Sequence, residues 1–500
     1  MEQNTNIYDL ERVFRIVLAF NSVSDRTILL SIILTNMMEI TSSDAGTLYI
    51  KEDDHLHFRI IQNKTLNIFE SSDEGNVILP PISLSEDSIQ NVSAYAAINN
   101  EVVVIDDIYT DKRFNFKGSR EYDKITGYKT KAMFTFPICA QRNDGDEVLG
   151  VIQLINPKDD VTGDIGTYGS LKNQSVVLAL IKIAANTLLN LTHVSELQMF
   201  FRSFAAAMTH AIDERSKYNS SHTQNVAQYC EQFAKYLSAA FPQGHKFHFN
   251  AFHIESLTLA ALLHDLGKII TPLQIMDKSN RLSYKMDSVR YRFGLKKLQI
   301  KVAFLEKVIT PEEYEEMNRD MEDTLVFIEQ INAANFITDE QLEKIALLKN
   351  VTYSDISGNT VRLLDDDDID SLSVRRGTLT EKERRIMEEH VNVTSRLLEK
   401  IPFRKYYANV PEWAACHHEF LDGSGYPKGL KGSDIPLEAN IITIMDIFDA
   451  LIDTNRPYKK GVSVEKALII LTEMAEAGKL HSELVELFKH SKVWENVKRV

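Results

Sequence analysis

The chain has 500 residues, of which 44% are hydrophobic and 25% are charged, a composition typical of a globular protein with about two to four domains. Its 71 acidic and 56 basic residues give a formal net charge of −15. That charge disfavours non-specific binding to nucleic acid or to an anionic membrane, because each phosphate contact needs a lysine or an arginine. The negative net charge does not exclude a small anionic substrate that binds in a local basic or metal-lined pocket.

The cysteines and the apolar stretches indicate in which cellular compartment the protein is expected. Cys139, Cys230 and Cys416 are widely spaced and odd in number, so they predict neither a disulfide framework nor a CxxC metal site. The acidic, polar N-terminus does not resemble a signal peptide. The most apolar stretches, Leu29–Ile40 and Val176–Leu191, are short or interrupted by polar residues. We therefore expect a cytoplasmic protein without a membrane span.

Residues 1–170 mix helical and strand patterns. Apolar residues at helical spacing open the region, and turn signals such as Asp144-Gly145 separate the segments that follow. The five strand candidates are Ala45–Lys51, His57–Gln62, Glu101–Ile105, Ala132–Cys139 and Val148–Asn156. Strands with helices at either end predict an α+β domain built on one antiparallel sheet.

A long helix is predicted for residues 171–215, where apolar residues between Ala184 and Met208 recur every three or four positions. Such a helix fits an element shared by two domains or two subunits, and alternatively the core face of an ordinary helix. Residues 216–500 show an almost wholly helical pattern, which predicts an all-α domain. Within it, residues 283–376 have the charged composition of an insertion, and the acidic run Asp365–Asp368 predicts a solvated loop.

Histidines and carboxylates recur at or inside apolar helix patterns of the last region. Seven are singled out: His222, His264, Asp265, His390, His417, His418 and Asp446. A carboxylate inside an apolar helix is costly unless it is paired or bound to a cation. Imidazole and carboxylate together suit iron, manganese, zinc or nickel, and seven groups exceed the needs of one ion. Each residue alone would be interpreted as a satisfied core residue, whereas the set predicts a site for two ions with a bridging carboxylate.

Three motifs that contain these residues resemble those of a known family. His264-Asp-Leu-Gly-Lys268 is similar to the signature of the HD-superfamily phosphohydrolases. The stretch from His417 to Pro427, HHEFLDGSGYP, resembles the HHExxDGxGYP segment of the HD-GYP subgroup. Asp446-Ile-Phe-Asp449-Ala-Leu, followed by Arg456-Pro-Tyr-Lys459, resembles that subgroup's downstream segment. The resemblance covers residues 200–282 and 377–490.

This resemblance implies a metal-dependent phosphodiesterase that hydrolyses cyclic di-GMP to pGpG or GMP, some members also accepting cyclic GMP-AMP. It places two divalent ions, iron or manganese, on the seven residues, with Asp265 as the bridge. We expect a hydroxide between the ions to attack the phosphodiester. Lys268 would neutralise a phosphoryl oxygen, and Arg456 and Lys459 would hold the second phosphate.

Three further residues have predicted roles near this site. Asp449, one helical turn after Asp446, is expected to orient a ligand, the alternative being a helix salt bridge. Gly425 is expected to shape the mouth of the pocket. Tyr426 is expected to stack on a base or to contact a protein partner.

The sequence departs from the family pattern in two places. Members that hold a third metal carry a glutamate one turn before the first histidine; that position is Tyr218 here, and Glu214 lies too far back, so no third metal is expected. The insertion separates the first motif from His390. Two alternative functions stay open at this point. One is a weakly catalytic regulator that binds a cyclic dinucleotide or a partner such as a diguanylate cyclase, and the other is an HD phosphohydrolase acting on another nucleotide such as ppGpp.

The first region resembles a GAF domain, a small-molecule sensory or dimerisation module. The segments that carry this resemblance are Asp44–Ile50, Phe134–Ile138 and Gly150–Asn156. Residues Asn156–Asp160 match the motif of cyclic-nucleotide-binding members only in part, so the ligand of this domain is not identified. Together with the long helix, the resemblance implies a homodimer whose catalytic domain is regulated by the GAF-like domain.

Overall fold

The chain forms two compact units, Met1–Phe200 (unit 1) and Phe201–Val500 (unit 2). The computed structural model describes residues 2–23, 25–71, 79–142, 145–159, 162–170, 174–216, 221–453 and 461–497. Arg456, Lys459 and Tyr218 lie outside the described residues.

Unit 1 combines helices with one antiparallel sheet. Its helices are α1 (Glu2–Ser22), α2 (Arg26–Ile40), α3 (Val92–Asn99), α4 (Lys117–Thr126) and the first part of α5 (Gln174–Asp213). Its strands are β1 (Ser43–Glu52), β2 (His55–Asn63), β3 (Ile68–Ser71), β4 (Ile82–Ser83), β5 (Val103–Ile105), β6 (Met133–Arg142) and β7 (Gly145–Pro157). The strand order is β3-β2-β1-β7-β6-β5, with β4 also paired to β2. The predicted α+β fold with an antiparallel sheet is confirmed.

Both faces of this sheet are covered, because successive side chains of a strand point to opposite sides. Leu48 and Ile50 pack against α1, α2 and the start of α5, whereas Tyr49 and Val151 pack on the other face with α3. Gly150 permits the close pairing of β1 with β7, since a Cβ there would lie 2.1 Å from the carbonyl oxygen of Tyr49. The central strands are therefore buried on both sides.

A buried carboxylate joins the segments of unit 1. The Oδ1 atom of Asp44 lies 2.8 Å from Lys158 Nζ, and its Oδ2 atom accepts a hydrogen bond of 2.8 Å from the Tyr128 hydroxyl. Thr65 Oγ1 also donates to this carboxylate, and Asn156 Nδ2 donates to the Tyr128 hydroxyl at 3.1 Å. Burial disfavours the ionised form, but the hydrogen bonds outweigh it and hold the pKa of Asp44 below its ordinary value. Asn156 and Lys158 of the partly matching motif therefore belong to a hydrogen-bond network.

The replacement Asp44→Asn is expected to lower the free energy of unfolding of unit 1 by about 1–3 kcal/mol, because Lys158 loses a buried charged partner. Hydrogen exchange of the β1 and β7 amides measures this, with the exposed Asp87→Asn as control. Since the folded-state pKa of Asp44 is lowered, its contribution is present above the ordinary carboxyl pKa and is lost as the pH falls through the lower value. A difference between the two variants that grew in acid would contradict this account.

Helix α5 lies within the range 171–215 predicted for a long helix, and it is continuous through the polar residues Lys182 and Asn186. In the part of the chain that the structure describes, Ser175–Asp213 is the one helix long and apolar enough to cross a membrane. A core helix of a folded domain has the same length and composition. The side chains of Val177 and Leu180 are buried in unit 1.

Unit 2 is almost entirely helical. Its helices are the end of α5, then α6 (His222–Ala240), α7 (Ala251–Leu263), α8 (Leu273–Met276), α9 (Lys285–Leu305), α10 (Pro311–Ala333), α11 (Asp339–Leu348), α12 (Asp366–Leu372), α13 (Glu381–Leu398), α14 (Val410–Ala415), α15 (Leu437–Ile452), α16 (Val464–Glu476) and α17 (Ser482–Ser491). A short antiparallel hairpin of β8 (Thr352–Ser354) and β9 (Thr360–Arg362) interrupts the helical pattern. Helices α6, α7 and α14–α17 share one core.

Residues 283–376, the inserted module, have a core of their own that includes Val289, Phe293 and Ile328. The run Asp365–Asp368 is solvated as expected at its first three residues, but the expectation of a loop is wrong. Asp365 caps the N-terminus of α12, and Asp368 is 1% exposed and pairs with Arg292 at 2.5 Å. The reason is that carboxylates in the first turn of a helix are stabilised by its unpaired N–H groups.

Candidate metal centre

The seven predicted ligands come together in unit 2 although they lie in, or just after, five different helices. His222 begins α6, His264 and Asp265 follow α7, and Asp446 lies in α15. His390 lies in α13, and His417 and His418 follow α14. All are buried except His418, whose side chain is 25% exposed. These seven residues are named the metal centre below.

The ligand atoms form two groups around one carboxylate. In each group the atoms lie within 4.8 Å of one another; the groups are His222, His264 and Asp446, and His390, His417 and His418. A third set within the same limit, His264, Asp265 and His417, connects the two groups. Asp265 reaches both groups. Its Oδ2 atom is 3.2 Å from His264 Nε2, and its Oδ1 atom is 3.3 Å from His390 Nε2.

Three histidines of the centre are oriented by the same local device. The Nδ1–H groups of His264, His390 and His417 each donate to the carbonyl oxygen three residues earlier, at 2.6 Å in every case. This bond leaves the lone pair on Nε2. These three buried Nε2 atoms and the Oδ1 atom of Asp265 have no hydrogen-bond partner among the described residues. Each such atom costs about 1–3 kcal/mol, so the donor set fits bound divalent cations.

His222 is held differently, between two carboxylates. Its Nδ1 atom lies 2.8 Å from Asp449 Oδ2, and its Nε2 atom lies 3.0 Å from Asp446 Oδ1. Asn225 Nδ2 donates to the other oxygen of Asp449 at 3.3 Å. Asp449 therefore has the position of a residue that orients the His222 ring.

Burial and charge divide the histidines by protonation. Burial holds the pKa of His417 well below its ordinary value and lowers that of His418 to about 3, so both rings are neutral, as metal binding requires. Burial also disfavours the charged form of His222, but the hydrogen bonds to Asp446 and Asp449 outweigh it and raise the pKa to about 10. A cation bound beside Asp446 competes with that proton.

Lys268 lies within the centre. Its Nζ atom donates to Asp265 Oδ2 at 2.5 Å. The turn that carries it, Leu266–Ile270, packs directly on α13, since a Cβ at Gly267 would lie 1.9 Å from the carbonyl oxygen of His390. Arg215 donates to the carbonyl oxygens of this segment, including that of Lys268 at 3.1 Å. The backbone of this segment is thus held from both sides, and Asp265 positions the ammonium group.

The glycine-rich loop lies over His418. Tyr426 N donates to the His418 carbonyl oxygen at 3.1 Å, and the two rings have centroids 4.7 Å apart. A Cβ at Gly425 would lie 2.5 Å from the same carbonyl oxygen, so only glycine allows this approach. Glu214, by contrast, is exposed and lies 3.7 Å from His210.

Sequence reasoning missed the residues that hold the backbone of the centre. Thr394 Oγ1 donates to the His264 carbonyl oxygen at 3.0 Å and accepts from Gly267 N at 2.9 Å. Thr443 Oγ1 donates to the His417 carbonyl oxygen at 2.7 Å. For Thr443 the available signal was a threonine inside the apolar helix α15, whereas Thr394 lies in the amphipathic helix α13, where a threonine gives no such signal.

Two buried carboxylates were missed as well. Glu419, 1% exposed, accepts hydrogen bonds from the backbone N–H groups of Lys428 at 2.7 Å and Leu430 at 2.9 Å, which fixes the end of the glycine-rich loop. Asp213, 4% exposed, ends α5, and burial raises its pKa. Its position next to exposed Glu214 gave no sequence signal.

Replacing Thr394 by valine is expected to weaken divalent-metal binding about 10–100-fold, because the backbone of His264 and of Gly267 loses its shared partner. Equilibrium dialysis with metal analysis measures the affinity. Thr394→Ser, which keeps the hydroxyl group, is the matched control and should bind metal like the unchanged chain. Equal affinities for the valine and serine variants would contradict the assigned role.

Comparison with known proteins supports the domain assignment. A GAF domain model matches residues 25–165, and an HD domain model matches residues 367–484. The chain is 43% identical over 98 residues to 3'3'-cGAMP-specific phosphodiesterase 3 of Vibrio cholerae, which covers 19% of this chain and 20% of the relative. It is 42% identical over 112 residues to the cyclic di-GMP phosphodiesterase response regulator RpfG of Xanthomonas campestris, covering 22% and 28%.

A third relative is the cyclic di-GMP phosphodiesterase of Thermotoga maritima, 38% identical over 122 residues that cover 24% of this chain and 32% of the relative. The chain thus spans less than a third of the length of these relatives. The match to the HD domain family begins at residue 367, after His264 and Asp265 in the chain. The inserted module separates these two residues from the other motifs. The chain therefore contains a GAF domain followed by an HD domain, and its homologues are named cyclic di-GMP and 3'3'-cGAMP phosphodiesterases.

Proposed function

We propose that this chain is a metal-dependent phosphodiesterase that hydrolyses cyclic di-GMP, with cyclic GMP-AMP as the alternative substrate. The observation that carries the proposal is the pair of ligand groups around Asp265. In these groups the buried Nε2 atoms of His264, His390 and His417 have no hydrogen-bond partner among the described residues. The names of the relatives supply the substrate class.

The metal centre is proposed to hold two ions, iron or manganese, in its two ligand groups, with Asp265 shared between them. When bound, such ions lower the pKa of water and stabilise charge on a phosphoryl group. A third ion is not part of the proposal, since the position one turn before His222 is Tyr218.

Geometry supports the proposed roles of Lys268, Tyr426 and Gly425, whereas those of Arg456 and Lys459 rest on the sequence alone. Lys268, fixed beside Asp265, is proposed to neutralise a phosphoryl oxygen of the substrate. Tyr426, above His418, is proposed to stack on a base, and Gly425 keeps the loop close enough for that. Arg456 and Lys459 follow α15 in the chain and are proposed to hold the second phosphate, because a substrate with two phosphates needs local cations in a chain of charge −15.

The GAF domain is proposed to regulate this activity, either by binding a small molecule or by holding a homodimer together. Helix α5 is the natural link, since it begins in unit 1 and ends in unit 2 at Asp213, next to Arg215 and its bonds to the Lys268 segment. Cyclic dinucleotides act inside bacterial cells, so the proposed location is the cytoplasm.

Metal-loaded protein is expected to convert cyclic di-GMP to a linear dinucleotide or GMP, and Asp265→Asn is expected to lower the rate at least 100-fold, because both ligand groups lose their shared carboxylate. Chromatography of the products measures turnover, with cyclic GMP-AMP and ppGpp as parallel substrates. The exposed Asp434→Asn is the control variant. Binding of cyclic di-GMP without hydrolysis would contradict the proposal and indicate a weakly catalytic regulator. Release of pyrophosphate from ppGpp would indicate an HD phosphohydrolase that acts on another nucleotide.

Metal analysis of the reconstituted chain is expected to give about two ions per chain, and chelation is expected to lower the melting temperature. A cation at 100 times its dissociation constant contributes about 2.7 kcal/mol to folding. His417→Ala should bind less metal and show a smaller shift on chelation. One ion per chain would contradict the shared role of Asp265, and three would contradict the argument from Tyr218.

A further inference from the structure

Helix α9 of the inserted module carries two apolar faces. One face is buried: Met286, Val289, Phe293 and Ile300 lie in the module's own core. This packing holds α9 in place, because the buried residues recur at helical spacing along the whole helix.

The second face, named the outer seam, is exposed except at Leu295, which is half-buried. It consists of Tyr284, which immediately precedes α9, and Tyr291, Leu295, Leu298, Val302 and Leu305. Tyr284, Tyr291 and Leu305 are 64–67% exposed, Leu298 is 57% exposed and Val302 is 43% exposed. At about 100° per residue the six side chains fall within an arc of about 80°, on a helix about 31 Å long.

The spacing of the outer seam is that of a coiled coil. When the polar residue Ser288 is included, the spacing between successive seam residues alternates between four and three from Tyr284 to Leu305. This is the heptad pattern of a coiled coil over three repeats. A core helix of an isolated module has no need for a second seam of this length. Contiguous exposed apolar surface of this kind marks an interaction site.

The charges beside the seam are complementary to those of a second copy. Lys301 flanks the seam and forms no ion pair with any residue that the structure describes. In a parallel pair of α9 helices it faces Glu306 of the other copy, and in an antiparallel pair it faces Asp287, whose side chain is 89% exposed. The seam is therefore self-complementary in either direction.

An anionic membrane fits this surface poorly. Helix α10, which packs beside α9, carries eight acidic residues and one basic residue, and the whole chain has a net charge of −15. These charges repel an anionic surface. Helix α9 itself carries six basic residues and one acidic residue. Four of the six basic residues pair with carboxylates of the same chain, which offsets most of this positive charge: Lys285, Arg290, Arg292 and Lys297.

We propose that the outer seam of α9 is the interface through which two copies of this chain associate, as a coiled coil of the two α9 helices. The proposal does not depend on the catalytic function, since no residue of the seam belongs to the metal centre. It gives the inserted module a role in assembly.

Sedimentation of the full chain between 1 and 100 μM tests the proposal. Leu298→Glu is expected to raise the dissociation constant of self-association at least tenfold. Lys301→Glu is expected to raise it severalfold, because the new carboxylate would face Glu306 of the other copy in a parallel pair or Asp287 in an antiparallel pair. Leu347→Glu is the matched control, since Leu347 is a 70% exposed leucine on α11 of the same module. Unchanged circular dichroism and thermal unfolding of the variants, whose buried face is intact, would show that folding is not the cause.

Three results would overturn the proposal. The unchanged chain could be monomeric throughout this range, or Leu298→Glu could associate as tightly as Leu347→Glu. Binding of monomeric protein to phosphatidylserine vesicles through α9 would identify a lipid surface as the occupant instead.

Discussion

The central constraint on unit 2 is a set of buried nitrogen and oxygen atoms whose chemistry suits a bound cation. Three imidazole Nε2 atoms and one oxygen of Asp265 meet without hydrogen bonds among the described residues, at a cost of about 1–3 kcal/mol each. The apolar core of α6, α7, α14 and α15 holds them together despite this cost. Folding energy from elsewhere is thus used to preorganise a binding site.

Backbone groups, not side chains alone, set the geometry of the centre. The same i−3 carbonyl bond orients His264, His390 and His417, and Thr394 and Thr443 hold two of the carbonyl groups of these residues. All three histidines are thus held at the ring, and His264 and His417 are also held at the backbone carbonyl group, which restricts the positions of their ligand atoms. Small residues such as Gly267 are required where two backbones approach this closely.

The inserted module shows how a long addition can leave such a centre intact. It lies between the first motif and α13 in sequence, yet it has a separate core and joins the rest through chain ends that lie near each other. Arg281, fully buried, donates to the carbonyl oxygens of Ile331 and Val374, which ties both ends of the module together. The addition therefore costs little beyond loop closure.

The sequence by itself determined the fold classes and the seven candidate ligands, because helical and strand periodicity and the motif residues are local properties. It also indicated the strands β1, β2 and β5–β7, but not the capped helix at Asp365, where a run of charge concealed the capping pattern. Tertiary structure alone decided which atoms meet: that Asp265 touches both ligand groups, that Asp449 orients His222, and that Thr394 and Glu419 hold distant backbone. These partners are separated by up to 227 positions in the chain, and no local pattern encodes a contact that folding creates.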